Sequence, residues 1–173
     1  VALIDGLRAK LWIVSIDGER VRDVSFPAIP AAPGKSSWVT FLNWSPDSQL
    51  LGYQATVWLE EFRQSEYFNV LQVVAVDSET PSTVTPTGMI GSALAWSPKG
   101  QHLAFANRDE YGSTYHLFVS DRDGANPQEI SSIYFGDIAQ TLFWESENTL
   151  WYKCQPSASN IYQPDICTTE INR

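Results

Sequence analysis

Trp44-Ser45-Pro46-Asp47-Ser48 recurs as Trp96-Ser97-Pro98-Lys99-Gly100, and a decayed third copy stands at Trp144-Glu145-Ser146-Glu147-Asn148. The tryptophans are spaced by 52 and 48 residues. Ser-Pro-Lys-Gly puts Ser at i, Pro at i+1 and Gly at i+3, which suits a type I turn followed by a left-handed residue. Such a turn closes a tight hairpin between two strands. An apolar run follows each copy: Leu50-Leu51-Gly52-Tyr53, Leu103-Ala104-Phe105 and Leu150-Trp151-Tyr152. A second kind of run ends in an acidic turn, at Leu11–Gly18, Val73–Ser78 and Leu117–Gly124.

Working outward, each unit reads as four strands, A to D. Strand A ends at the Trp, B follows the Ser-Pro turn, C ends at the acidic turn, and D is short and polar. Four strands repeating every 40–50 residues or so mark a propeller blade. The first blade lacks A and spans residues 1–26, with B at Val1–Asp5, C at Lys10–Ile16 and D at Val21–Phe26. Complete blades are expected at 39–86 and 92–131. A partial one at 141–173 has A at Thr141–Trp144, B at Leu150–Cys154 and C near Ile166–Ile171. Two complete and two incomplete blades do not close a standard ring. The missing blades are expected from the rest of a longer chain or from a partner.

The Trp-Ser-Pro-Asp/Lys unit with its later x-Val-x-Asp-x-Asp-Gly turn resembles the TolB-like propeller repeat, over nearly the whole chain. It is less like the WD repeat, since no Gly-His and Trp-Asp pair frames the unit. The resemblance implies an all-β propeller segment and little about function, because this scaffold serves many roles. The prolyl-oligopeptidase family carries a similar propeller beside a hydrolase domain. In such a protein the catalytic residues would lie outside these 173 residues.

Composition agrees with an all-β chain and excludes several functions. Aromatic residues are 13%, and no long amphipathic helical period interrupts the short β-branched and aromatic runs. The formal net charge of -9 argues against a bulk footprint for nucleic acid. No apolar run is long enough for a membrane helix. No basic start with an apolar core marks a signal peptide.

Loop lengths point to a working face. The A–B and C–D turns are short, whereas the B–C and D–A connections are long: Pro27–Ser37, Ala55–Asn69, Asn107–Thr114, Ser131–Ile138 and Gln155–Gln163. Long loops on a rigid scaffold carry function. The candidate binding residues there are Trp58, Phe62, Arg63, Tyr67, Phe68, Arg108, Tyr111, Tyr134, Phe135 and Tyr162. Acidic Glu60, Glu61, Glu66, Asp109, Glu110 and Asp137 surround them. Tyr and Trp bury large area at low entropic cost, so this face is read as a protein-binding surface, with sugar or small-ligand binding as an alternative. Trp58 and Phe62, spaced i and i+4, are expected on a short helical turn.

Catalytic motifs are absent from the sequence. It contains no Gly-x-Ser-x-Gly elbow and no phosphate-cradling glycine loop. His102 and His116 fall on strands B and C of one blade, where they are expected as neighbours, but with no third ligand they make no metal site. Asp121-Arg122-Asp123-Gly124-Ala125-Asn126 has the start of a calcium loop without its closing Glu, and sits where a hairpin turn is expected. Asn43-Trp44-Ser45 matches a glycosylation triplet but lies on an inner strand before Pro46. No cofactor is implied. Cys154 ends strand B and Cys167 lies in strand C of the last blade, so antiparallel pairing brings them together. Their disulfide would stabilise by about 2–3 kcal/mol and place the protein in an extracytoplasmic compartment, periplasm or cell surface.

Overall fold

The computed structural model describes residues 2–5, 10–24, 36–61, 64–85, 89–109, 114–134, 142–154 and 165–172. Among them the chain forms fourteen strands and no helix. The strands are β1 (Ala2–Asp5), β2 (Lys10–Val14), β3 (Val21–Val24), β4 (Ser36–Trp44), β5 (Leu50–Glu61), β6 (Gln64–Ala75) and β7 (Ser82–Thr83). They continue as β8 (Met89–Trp96), β9 (His102–Asp109), β10 (Thr114–Asp121), β11 (Gln128–Tyr134), β12 (Phe143–Trp144), β13 (Thr149–Cys154) and β14 (Asp165–Glu170). They make four antiparallel sheets in chain order, β1-β2-β3, β4-β5-β6-β7, β8-β9-β10-β11 and β12-β13-β14.

Three apolar cores lie between consecutive sheets, which explains why the middle strands read as continuous apolar runs. Successive side chains of a strand point to opposite faces, so a sheet packed on both sides needs apolar residues at every position. Leu51 and Tyr53 join Leu11 and Ile13 in the core between the first and second sheets. Leu50 turns the other way and joins Leu94, Trp96 and Phe105 between the second and third. Ala104, Ala106 and Leu117 face Trp144, Leu150 and Tyr152 between the third and fourth. Each motif tryptophan of the third and fourth sheets therefore packs back onto the preceding sheet. Among the described residues no core joins the fourth sheet to the first. Gly52 sets the closeness of the second and third sheets: a Cβ there would lie 2.8 Å from Leu94 Cδ1 and from Trp96 Cη2.

The Ser-Pro turn is a hydrogen-bonded unit of six residues. Ser45 N–H donates to Leu50 O, Ser48 N–H donates to Ser45 O, and Leu50 N–H donates to Ser45 Oγ at 2.9 Å. Asp47 closes it, accepting from Ser45 Oγ at 2.7 Å and from Gln49 N–H at 3.1 Å. The β2–β3 turn has the same pattern, with Asp17 accepting from Ser15 Oγ and Glu19 N–H. The third residue past each opening Ser is left-handed: Gly18 (φ 75°), Ser48 (φ 58°) and Gly100 (φ 67°).

Cys154 and Cys167 form a disulfide with Cα atoms 5.7 Å apart. It lies across the β13–β14 pair, where Tyr152 faces Cys167 and Cys154 faces Asp165. Local antiparallel pairing is what brings the two thiols within reach.

Candidate binding face

The connection Ala55–Asn69, expected as a long loop, is largely strand. β5 and β6 pair without a break from Leu50↔Ala75 to Glu61↔Gln64, including Val57↔Phe68 and Trp58↔Tyr67. Trp58 therefore lies in a strand, and the expected helical turn from Trp58 is not formed. Val, Trp, Tyr and Phe favour a pleated backbone, and no Gly or Pro interrupts residues 53–75. Among the described residues strand β4 begins at Ser36, which pairs with Trp58. Beyond it, residues 59–61 and 64–66 pair with each other alone among the described residues, as a two-stranded arm. On the other side β7 pairs with Gln72 and Val73, and Val84 N–H reaches Leu71 O. The backbone edge of β6 from Gln64 to Val70 thus has no strand partner among the described residues.

Two further expected loops are also shorter. Strand β11 runs to Tyr134, paired with Thr114, so Ser131–Tyr134 belongs to the sheet. Strand β9 runs to Asp109, which leaves Arg108 half-buried in a ladder with Ile90 and Tyr115. The register thus places Trp58, Tyr67 and Phe68 at the base of the arm, and sets Arg108 and Tyr134 in the third sheet. Phe62, Arg63, Tyr111, Phe135 and Tyr162 lie outside the described residues, as do Glu110 and Asp137.

The histidines are not neighbours. His102 faces Asp121 and His116 faces Asn107, five positions apart along β10, or ~17 Å. Strands B and C run antiparallel, so residues near the start of one and the start of the other are set apart. His102 stacks on Trp144 with ring centroids 6.2 Å apart. His116 lies between two carboxylates, with Nδ1 2.8 Å from Glu129 Oε1 and Nε2 3.0 Å from Asp109 Oδ1. Burial favours its neutral form, but Glu129 and Asp109 outweigh it and raise the imidazole above its ordinary value. Nδ1 is hydrogen-bonded to Glu129, whereas Nε2 lies close to Asp109 without hydrogen-bond geometry. Among the described residues no group of three His, Cys, Asp or Glu is arranged to hold a metal ion.

The other motif residues are spent on structure. Asp121 and Asp123 close their own hairpin, accepting from Asn126 Nδ2 and Ala125 N–H. Asn43 Nδ2 donates to Leu94 O across the sheets at 3.3 Å. One residue was missed: Asn107, fully buried, has neither amide atom hydrogen-bonded among the described residues. Its signal was a lone carboxamide ending the apolar run Leu103-Ala104-Phe105-Ala106.

No protein-family model matches the sequence. No curated protein matches it either. Solved structures do. TolB from Acinetobacter baumannii is 14% identical with a TM-score of 0.53, over 98% of this chain and 38% of that one. Porphyromonas gingivalis dipeptidyl peptidase 4 is 12% identical with a TM-score of 0.70, over 100% of this chain and 30% of that one. A puromycin-hydrolyzing peptidase of Mycobacterium tuberculosis is 12% identical with a TM-score of 0.61, over 100% of this chain and 29% of that one. This chain thus spans roughly a third of each of these proteins' length. At such identities the likeness is one of fold: the four sheets are β-propeller blades, similar to those of TolB and of the dipeptidyl peptidase.

Proposed function

We propose that this propeller segment is a non-catalytic protein-binding module working outside the cytosol, and that the β5–β6 arm is the centre of its contact surface. The observation that carries the reading is the unbroken hairpin to Glu61↔Gln64, whose β6 edge is unpaired among the described residues. An open strand edge can take a partner's strand by backbone hydrogen bonding, with aromatic residues adding buried area. Trp58, Tyr67 and Phe68 sit at the base of that arm, and Arg108 and Tyr134 lie in the neighbouring blade. The Cys154–Cys167 disulfide supports an oxidising compartment. The missing blades come from the rest of a longer chain or from the partner itself.

A second reading has an observation behind it, the TM-score of 0.70 to dipeptidyl peptidase 4. In that reading the same face would meet a separate hydrolase domain. Both readings are tested by placing the photo-crosslinking residue benzoylphenylalanine at Tyr67 and, as control, at Phe143, an exposed residue of the fourth sheet. Irradiation in an extract of the source compartment, with mass-spectrometric identification, should give one dominant adduct at Tyr67, absent at Phe143 and lost when 59–66 is replaced by a two-residue turn. An adduct with a hydrolase domain favours the second reading. Equal adducts at both positions, or peptidase activity of this chain alone, would overturn the binding-module reading.

A further inference from the structure

On the short-turn face, the three seams between sheets are closed to different degrees. Between the second and third sheets, Trp96 donates its indole N–H to Arg122 O at 2.9 Å, and Arg122 Nη2 pairs with Asp47 Oδ2 at 2.6 Å. Between the third and fourth, Trp144 donates to Ala95 O at 3.0 Å, and the Glu147 carboxylate takes the turn of the third sheet. At both seams a tryptophan seals the apolar floor and a side-chain carboxylate clasps the rim.

At the seam between the first and second sheets, Trp44 packs against the core, but among the described residues no indole hydrogen bond from it and no carboxylate clasp is formed. A cleft of about 600 Å³ opens there, walled by Ile13, Trp44 and Val76. Ile16, 99% exposed, stands at its lip. Trp44, the counterpart of Trp96 and Trp144, is half-buried, and its indole N–H has no hydrogen-bond partner among the described residues. Arg20 and Arg22 also line the cleft, with Asp77 as the one acidic lining residue. Neither arginine has an ion-pair partner among the described residues. Two guanidinium groups against one carboxylate make a positive spot on a chain of formal charge -9.

We propose that this cleft is a second binding site, separate from the arm, which takes a peptide segment carrying an Asp or Glu side chain beside an apolar residue. The molecule's other seams argue for that occupant, because each is completed by a polypeptide carboxylate over a buried tryptophan. The apolar residue covers Ile13 and Trp44, and the carboxylate lies in the guanidinium fork of Arg22 or Arg20, the geometry arginine favours. The volume falls in the range of ligand pockets and accommodates two or three side chains.

The probe is the acetylated, amidated peptide Trp-Ser-Pro-Asp-Ser-Gln-Leu, a copy of residues 44–50, with its Asp→Asn form as control. Titration into the nitrogen-15-labelled 173-residue chain should give saturable shifts of the Trp44 indole and the Arg20 and Arg22 Nε–H signals. The Asn form should bind at least about fivefold more weakly, and the Arg20→Gln/Arg22→Gln variant should lose about the same factor at unchanged melting temperature. Trp44→Phe keeps the fold and removes the reporting signal, which secures the assignment. No saturable shift up to about 5 mM, or equal binding of the Asp and Asn peptides, would overturn the proposal. So would concentration-dependent self-association abolished by Arg20→Gln/Arg22→Gln, which would assign the cleft to a second copy of the chain. The arm plays no part in this readout, so failure of either site is scored independently.

Discussion

Glu147 performs from the next sheet the task that Asp47 performs within its own turn, and replacing it should show this. In the turn opened by Ser97 the third position is Lys99, which has no carboxylate to offer. Glu147 fills the place, accepting from Ser97 Oγ at 2.5 Å, from Lys99 N–H at 2.6 Å and from Gln101 N–H at 3.2 Å. Ser97 is fully buried, so Glu147→Ala orphans its hydroxyl proton at a cost of about 1–3 kcal/mol. Lys99 and Gln101 are exposed, and their N–H groups regain water. In a chain of this length the midpoint should fall by about 2–4 °C per kcal/mol. Lys99→Asp in the Glu147→Ala background restores the local closure used by Asp47 and should recover at least half of the loss. Lys99→Asp alone sets two carboxylates on one hydroxyl and should destabilise. The double variant should therefore be more stable than either single one, measured by urea unfolding at pH 7 with tryptophan fluorescence. The pH dependence has a fixed sign. Burial pushes the Glu147 carboxyl up, but the Ser97, Lys99 and Gln101 hydrogen bonds and nearby His102 bring it net below the usual 4.5. Its stabilisation is thus fully present above 4.5 and fades as pH falls through the lowered value. The difference between wild type and Glu147→Ala should be constant from pH 6 to 7 and shrink below about pH 4.5. Additive single effects, or a difference that grows on acidification, would refute the reasoning.

Three other outcomes follow from single positions. Ser48 holds a left-handed backbone where Gly18 and Gly100 stand in the sister turns, so Ser48→Gly should stabilise by about 0.5–1 kcal/mol in urea titration. Asn107→Leu removes a fully buried amide with no hydrogen bonds among the described residues and should raise stability by about 1–2 kcal/mol; destabilisation would show that the amide is satisfied by ordered water. Reducing and alkylating Cys154 and Cys167 should lower stability by about 2–3 kcal/mol, and neither thiol should label in the native protein before reduction.

The turns and blades were legible because their determinants are local. The six residues from Ser45 to Leu50 make their own hydrogen bonds, so Ser, Pro, Asp and a left-handed fourth residue announce the hairpin. Cys154 and Cys167 were legible for the same reason, since two consecutive antiparallel strands bring them together. The arm was misread because Glu60-Glu61-Phe62-Arg63-Gln64 is polar in the manner of a loop, while the pairing that keeps it extended comes from the apolar halves of β5 and β6. The seam contacts were invisible, since Glu147 lies 50 residues from Ser97 in sequence and 0 residues in the motif register distinguish it from a decayed copy of Asp47. The cleft depends on what Trp44 lacks relative to Trp96 and Trp144, a difference that arises only after the sheets are packed.

The arm as a paired strand unit is the centre of the account, and cross-strand nuclear Overhauser contacts with amide hydrogen exchange test it most directly. The account predicts backbone contacts continuing from Leu50↔Ala75 through Trp58↔Tyr67 to Glu61↔Gln64, with slowed exchange in the paired amides. Contacts that stop at Thr56↔Asn69, with amides 57–68 exchanging at the rate of an unstructured chain, would contradict it.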